Sequence, residues 1–311
     1  MGRPAASSRD GRTTSHRGGL LTAAAVTVAA AAAVLRRLLP RDDAVDVVNA
    51  PASRRWETLA SAVSSALRPR GLDVVAPLRL RWYNDIAPPS AKIAPGGRRG
   101  DDALVILVGN SRALWPAFCA AHDSDPDVGD AEDPVDTYVA REVDRAVAPL
   151  AVAHRNFYAH ETKPGRLVAV QRMAHVAGVA HLDERCHLSI HPSLGPWFAL
   201  RAVVVLDDVE GPGEDQKPKP PPNPLTADPI ARARVDAAFD EALAGYERAD
   251  AADGQWRRWV AVRDAVSPEH PARYHDDQVL YHYNCLNGAE RERIRSKLRG
   301  FERRTEQKDD A

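Results

Sequence analysis

Cysteine is scarce in this chain of 311 residues: Cys119, Cys186 and Cys285 are all it has. An odd number cannot pair completely and no CxxC spacing occurs. That argues against a disulfide framework or a thiolate zinc site, and fits a reducing compartment. A charge surplus is missing too. The 42 Lys plus Arg stand against 43 Asp plus Glu, for a net charge of −1. A protein that lives on nucleic acid needs a clear cationic excess. Aromatic residues are few, at 6%. No P-loop, GxGxxG after a strand, GxSxG or HExxH occurs, which removes the readings as a nucleoside-triphosphate enzyme, a Rossmann dehydrogenase, a serine hydrolase or a zincin. What is present is a 44% hydrophobic composition, enough for a substantial core in one large domain or two small ones.

The first fifty residues differ from the rest. Arg3, Arg9, Arg12 and Arg17 precede an Ala-rich apolar run from Leu20 to Leu35, and Arg36 and Arg37 close it. Only Asp10 is acidic before Asp42. This Arg-rich, acid-poor pattern matches an organelle transit peptide. A secretory signal or weak membrane anchor and a disordered extension are the other readings it leaves open. The run of about 16 residues is shorter than the ~20 a spanning helix needs. Residues 1–50 are therefore set apart as an N-terminal extension, 51–305 as the folded domain and 306–311 as a charged tail.

Trp56, Leu59, Ala60, Val63 and Leu67 fall at helical spacing, and Pro69 and Gly71 end that helix. Leu72–Trp82 alternates loosely and predicts a strand. Ala103–Val108, reading ALVILV, predicts a strand buried on both faces. The acidic stretch His122–Asp133 reads as a solvated loop. Asp133-Pro134 opens a helix to Val147, with Asp133 as its cap. Leu167–Leu182 is apolar with a mixed period, and a strand followed by a helix is left open. Leu188–His191 and Trp197–Leu206 are strand candidates rich in branched and aromatic side chains. The KPKPPPNP stretch within 211–224 holds neither helix nor central strand. Ile230–Tyr246 and Trp256–Ala265 read as helices, and the charged segment from Ala289 as a solvated helix. Strands and helices interspersed without clean βαβ alternation predict an α+β fold.

His175, His181, His187 and His191 crowd around Cys186, but they straddle different predicted elements without a carboxylate at ligand spacing. No metal site is predicted. Five other stretches stand out together: WYNDIAPP (Trp82–Pro89), DPVD (Asp133–Asp136), AHVAG (Ala174–Gly178), IHPSLGPWFALR (Ile190–Arg201) and WRRWVAVRDAVSP (Trp256–Pro268). In this order and at these separations they resemble the methylmalonic aciduria and homocystinuria type C family of cobalamin-processing proteins, from about Ser53 to about Arg291.

The resemblance implies a fold related to FMN-dependent nitroreductases and flavin reductases: a mixed sheet, flanking helices and a large cavity. It makes 51–305 a cobalamin-processing domain. It implies a cobalamin held with its dimethylbenzimidazole tail off the cobalt, FMN or FAD as electron donor, and glutathione as co-substrate. Two reactions follow, reductive decyanation of cyanocobalamin and transfer of the upper alkyl group of alkylcobalamins to the glutathione thiolate. It also implies a cytoplasmic monomer or homodimer that passes cobalamin to a downstream trafficking protein. A cobalamin chaperone with little turnover and a flavin reductase for another substrate are the competing readings.

Residue by residue, the resemblance assigns Arg201, Arg263 and Arg291 to the glutathione site, a role suited to the planar guanidinium fork that grips carboxylates. The bland alternative is pairing with structural acids, and Asp264 stands next to Arg263. His175, Ser189, Leu200, Trp197 and Tyr274 are assigned to the cobalamin cavity, although a core role is the default for buried aromatics. The small Ala174, Ala177, Gly178 and Ala180 suit either close approach of a planar ligand or close packing. Val168, Ala169, Val170 and Gln171 are assigned to the flavin. The chain departs from the family at Leu182, Asp183 and Glu184, where aromatics and an amide are usual. Two carboxylates there are unfavourable for a flavin phosphate unless they point away. Phe157 stands where the family has an aspartate, and Ser189 where it has a cysteine.

Overall fold

The computed structural model describes residues 55–247 and 255–284. Helix α1 (Arg55–Leu67) opens it, with Leu59, Val63 and Leu67 buried along one stripe. Full burial of such side chains stabilises by about 1.5–3 kcal/mol each. Gly71 then turns the chain in left-handed backbone at φ 74°, and a Cβ there would lie 2.4 Å from Leu114 Cα, so glycine is required. Strand β1 (Val74–Arg79) runs straight into helix α2 (Leu80–Asn84). Trp82 and Tyr83 are therefore helical, not part of a strand continuing from Leu72. Long-range bonds override the local alternation: Trp82 Nε1 donates to Glu214 at 2.7 Å, and the Tyr83 hydroxyl donates to the Ala91 carbonyl at 2.6 Å.

Strand β2 (Ala103–Asn110) is buried at every residue. Helix α3 (Leu114–Ser124) and a helical turn at Pro126–Gly129 follow. The stretch His122–Asp133 is thus partly helical and partly buried, and Asp125 caps the turn by accepting from Asp127 N at 3.0 Å. Helix α4 (Pro134–Val147) starts where Asp133-Pro134 predicts, but the Asp133 side chain makes no capping bond. Then come β3 (His154–Tyr158), α5 (Val170–Val176), β4 (His181–Asp183), β5 (Leu188–Ile190), β6 (Ala199–Glu210), α6 (Pro229–Glu247), α7 (Gln255–Val266) and α8 (Asp276–Asn284). The segment Leu167–Leu182 holds a helix followed by a strand, the reverse of the order left open from its mixed period.

The main sheet has the order β1-β2-β6-β3, and β4 and β5 form a separate hairpin. The architecture is α+β, but every described pairing is antiparallel, in place of the expected mixed sheet. A strand's side chains alternate between faces. Leu104, Ile106 and Val108 accordingly pack with Ala202, Val204 and Leu206 against α1, α3 and α4. Val105 and Leu107 pack with Val203 and Val205 against α2 and α5. Helices on both faces explain why β2 is apolar throughout. A third cluster joins the β4–β5 hairpin to α6 and α7 through Cys186, Ile190, Val235, Phe239 and Val262. A fourth holds Trp197, Val260, Tyr274 and Val279.

The expectations for residues 1–50, Arg291, the helix from Ala289 and the tail at 306–311 lie outside the described residues, as does Cys285. Among the described residues no helix is long and apolar enough to cross a membrane.

Candidate functional site

The pairing of β2 with β6 slips between Val108 and Gly109. A Cβ on Gly109 would lie 2.5 Å from the Ala199 carbonyl oxygen, so the absence of a side chain lets the strands close there. The slip sets Asn110 opposite Ala199, within reach of Arg201 two residues further along β6. Arg201 Nε donates to Asn110 Oδ1 at 2.8 Å. Its Nη2 lies 3.5 and 3.4 Å from the two ring nitrogens of His282 on α8. Its nearest described carboxylate, Asp136 of the DPVD stretch, stands 3.9 Å from Nη1, long for an ion pair.

Arg263 on α7 lies over the rings of Trp197 and Tyr283, at 5.7 and 5.6 Å. Pairing with the adjacent Asp264 does not occur, because Asp264 is taken by Arg273 at 2.9 Å. No described carboxylate reaches Arg263 to ion-pair distance. Trp197 and Tyr274 are buried with ring centroids 5.6 Å apart, and Tyr274 lies 5.5 Å from the His282 ring.

Burial, and then the nearby Arg263, weakens the hold of Arg201 on its proton relative to an exposed arginine. Burial, reinforced by Arg201 and Arg263, holds His282 well below the ordinary histidine range, so its ring is neutral near pH 7. Burial pushes the Tyr274 hydroxyl up to about 12 and keeps it protonated. Two guanidiniums with one distant counterion, set among neutral polar groups, have the charge and donor geometry that suit a carboxylate.

The second feature is a cleft of about 430 Å³ between α5 and the β4–β5 hairpin, lined by Val168, Ala169, Val170, Gln171, Arg172, Leu182, Glu184 and His187. All four residues expected at a flavin are here, with two of the three departures. Gln171 Nε2 donates to the His187 carbonyl at 2.7 Å, tying the helix to the hairpin. The third departure, Asp183, is turned away. It accepts from Cys186 N and Sγ at 3.1 Å each, from Asn223 Nδ2 at 3.0 Å and from Arg232 Nη2 at 2.7 Å. Burial alone would raise its pKa, but these donors hold it at about 2. Glu184 faces Arg172 at 3.4 Å. Of the polar groups lining the cleft, Gln171 Nε2 is bonded to the His187 carbonyl and Arg172 faces Glu184, and His187 is the one ring among the lining residues. Burial and the bond to Asp183 push Cys186 up to about 11, which makes it a poor nucleophile.

A smaller cavity of about 360 Å³ brings the AHVAG and IHPSLG stretches together through Gly178, Val179, His191, Pro192, Ser193 and Leu194, facing Arg68, Asp73, Val74 and Val75. His191 Nδ1 accepts from Ser193 N and Leu194 N at 3.1 and 3.2 Å, capping the turn. His175 Nδ1 accepts from Leu182 N at 3.1 Å. Leu182 pairs with Ser189 across the hairpin, and the buried Ser189 hydroxyl has no protein partner. Leu200 packs with the α5 side of the sheet. The five expected cavity residues thus fall into separate groups: Trp197 and Tyr274 beside the arginines, His175 and Ser189 at the hairpin, and Leu200 on the sheet. Gly178, at φ 71°, serves packing, since a Cβ would lie 2.8 Å from Pro218 of the proline-rich loop. Phe157 is core, with Arg166 over its ring at 4.5 Å. Among the described residues no group of His, Cys, Asp and Glu could hold a metal ion. Asn110 and His282 went unmarked in the sequence, although a polar Asn closing a wholly apolar strand is the one local signal of the first.

The profile of the methylmalonic aciduria and homocystinuria type C family matches residues 71–293. A Homo sapiens protein named cyanocobalamin reductase / alkylcobalamin dealkylase is 31% identical over 242 residues, covering 72% of this chain and 76% of the relative. The Mus musculus protein of that name is 29% identical over 244 residues, covering 73% and 78%. In fold, the crystal structure of a C. elegans B12-trafficking protein, CblC, aligns with a TM-score of 0.58 at 19% identity, over 78% of this chain and 95% of its own. With most of the folded region matched, the chain belongs to the methylmalonic aciduria and homocystinuria type C family.

Proposed function

We propose that this chain is a cobalamin-processing enzyme that removes the upper axial ligand of cobalamin, using glutathione for alkyl ligands and a reduced flavin for cyanide. The observation that carries the reading is the pair Arg201 and Arg263, both half-buried beside Trp197 and Tyr274, with Asp136 at 3.9 Å from Arg201 as the one described carboxylate within ion-pair distance of either. Such a pair suits a peptide thiol with two carboxylates. In dealkylation the glutathione thiolate attacks the upper carbon of alkylcobalamin. A carbon–sulfur bond forms, the cobalt–carbon bond breaks with its electron pair left on cobalt, and cob(I)alamin and a thioether result. The chain's own work is to orient the thiol by its carboxylates and exclude water. Arg291 is proposed as a third arginine of this site.

The cobalamin is proposed to lie base-off, with His175 and Ser189 at the hairpin, Leu200 on the sheet and Trp197 and Tyr274 beside the arginines contributing to its site from those separate places. The unpartnered Ser189 hydroxyl supports a polar ligand near the hairpin. Val168, Ala169, Val170 and Gln171 hold a flavin, FMN or FAD, with Arg172 toward its phosphate. The bound flavin supplies the electrons for decyanation. The kinship of the fold with nitroreductases, the domain at 51–305, a cytoplasmic site of action and transfer to a downstream trafficking protein belong to the same proposal.

The test is anaerobic incubation of the full chain with methylcobalamin and glutathione, followed by visible absorbance. Loss of the methylcobalamin bands with formation of cob(I)alamin is expected. Unchanged bands at saturating protein and thiol refute dealkylation, and tight binding without product would mark a chaperone instead.

A further inference from the structure

Arg201 is held on two sides by groups that carry no charge. In the plane of the guanidinium, Nε donates to the Asn110 amide oxygen at 2.8 Å. Nη2 rests on the His282 ring at 3.4 and 3.5 Å. Asn110 is itself immobilised: it has no exposed surface, and its Nδ2 donates to the Ser111 carbonyl at 2.8 Å with the Tyr274 hydroxyl 3.5 Å away. Its place is set by the strand slip at Gly109. The chemistry of this arrangement is specific. A buried arginine is ordinarily fixed by a carboxylate, which also cancels its charge. An amide accepts the same hydrogen bond and fixes the same orientation while leaving the positive charge available.

Resting on the reading of Arg201 as a glutathione carboxylate ligand, we infer that Asn110 is a positioning residue for glutathione: it aims the Arg201 guanidinium from its Nε edge without neutralising it, so that the positive charge is kept for the incoming carboxylate. Arg263, Asp136, Tyr274 and His282 are the other charged or titratable groups facing that guanidinium. Asp136 is a long counterion, 3.9 Å from Nη1 and itself part-exposed, and no other described carboxylate approaches. The polar end of a hydrophobic strand therefore sets the carboxylate preference of the site.

The test compares Asn110→Asp, Asn110→Ala and Arg201→Ala in the full chain. Each is assayed with methylcobalamin against glutathione and against glutathione diethyl ester, which keeps the thiol and lacks the carboxylates. Cobalamin affinity is followed as a check on folding. Asn110→Asp turns the neutral support into a counterion, and KM for glutathione should rise by about ten- to a hundredfold, the scale of one lost charged hydrogen bond. KM for the diester and the affinity for cobalamin should hold. Asn110→Ala keeps the charge and loses the aim, so its KM for glutathione should rise less, again without an effect on the diester. Equal increases for both thiols mean that Asn110 is merely structural and overturn the inference. An increase for Arg201→Ala with none for either Asn110 variant overturns it too. If Arg201→Ala leaves KM for glutathione unchanged, the glutathione reading of the site itself fails, and the inference falls with it.

Discussion

At the residue scale, the chemistry rests on which charges are paired and which are not. Arg273, Arg232 and Arg155 have close carboxylates, at 2.9, 2.7 and 2.6 Å. Arg201 and Arg263 do not. Replacing Arg201 by alanine should therefore raise KM for glutathione by an amount worth about 1.5–3 kcal/mol while cobalamin affinity holds; equal loss of both would make Arg201 structural. Asp183 is the opposite case, a carboxylate consumed by structure. Its pKa is depressed in the folded state, so its stabilisation is present above the ordinary aspartate value of about 4 and is lost as pH falls toward about 2. Asp183→Ala leaves Asn223 and the Cys186 main-chain N–H without this acceptor and Arg232 with Asp236 alone, and should cost about 3 kcal/mol in urea unfolding at pH 7. His282 works in a higher window. Burial and two arginines lower its proton affinity in the fold, so below about pH 6.5 the unfolded chain binds the extra proton and stability falls with pH. His175, His191 and His270, lowered by burial first, add to the same slope. His282→Phe should flatten the loss of stability between pH 7 and 5, measured by urea titration at each pH.

At the scale of elements, legibility tracked how local the cause was. ALVILV announced a doubly buried strand because both faces meet helices, and Pro69 with Gly71 announced the end of α1 because the signal lies in the backbone itself. The run from Leu72 misled because α2 is fixed by partners far away in sequence, Glu214 and the Ala91 carbonyl. The slip at Gly109, on which Asn110 and hence Arg201 depend, has no signature beyond a single glycine. The motifs placed Arg201 and Arg263 without indicating that their acids would be spent elsewhere. Gly178 was legible as small but not as the seat of Pro218. Gly178→Ala should destabilise the proline-rich loop against the hairpin by about 1–3 kcal/mol through left-handed strain and contact, seen as a lower urea midpoint. An unchanged midpoint would mean that the loop yields freely.

At the scale of the whole molecule, a two-faced sheet carries the arginine cluster at one end of its β2–β6 pair, with α7 and α8 closing over it. The larger cleft lies between α5 and the β4–β5 hairpin, and the smaller cavity, where the AHVAG and IHPSLG stretches meet, faces Asp73, Val74 and Val75 at the start of β1. Corrin, thiol and electron donor must meet within this one frame for the proposed chemistry to occur. The most direct measurement is a visible-absorbance titration of methylcobalamin with the purified full chain, without glutathione or flavin. Displacement of the lower nitrogen by the protein should shift the bands to those of the base-off form, saturating at one cobalamin per chain. Bands that stay at their free-solution positions at saturating protein would contradict the account.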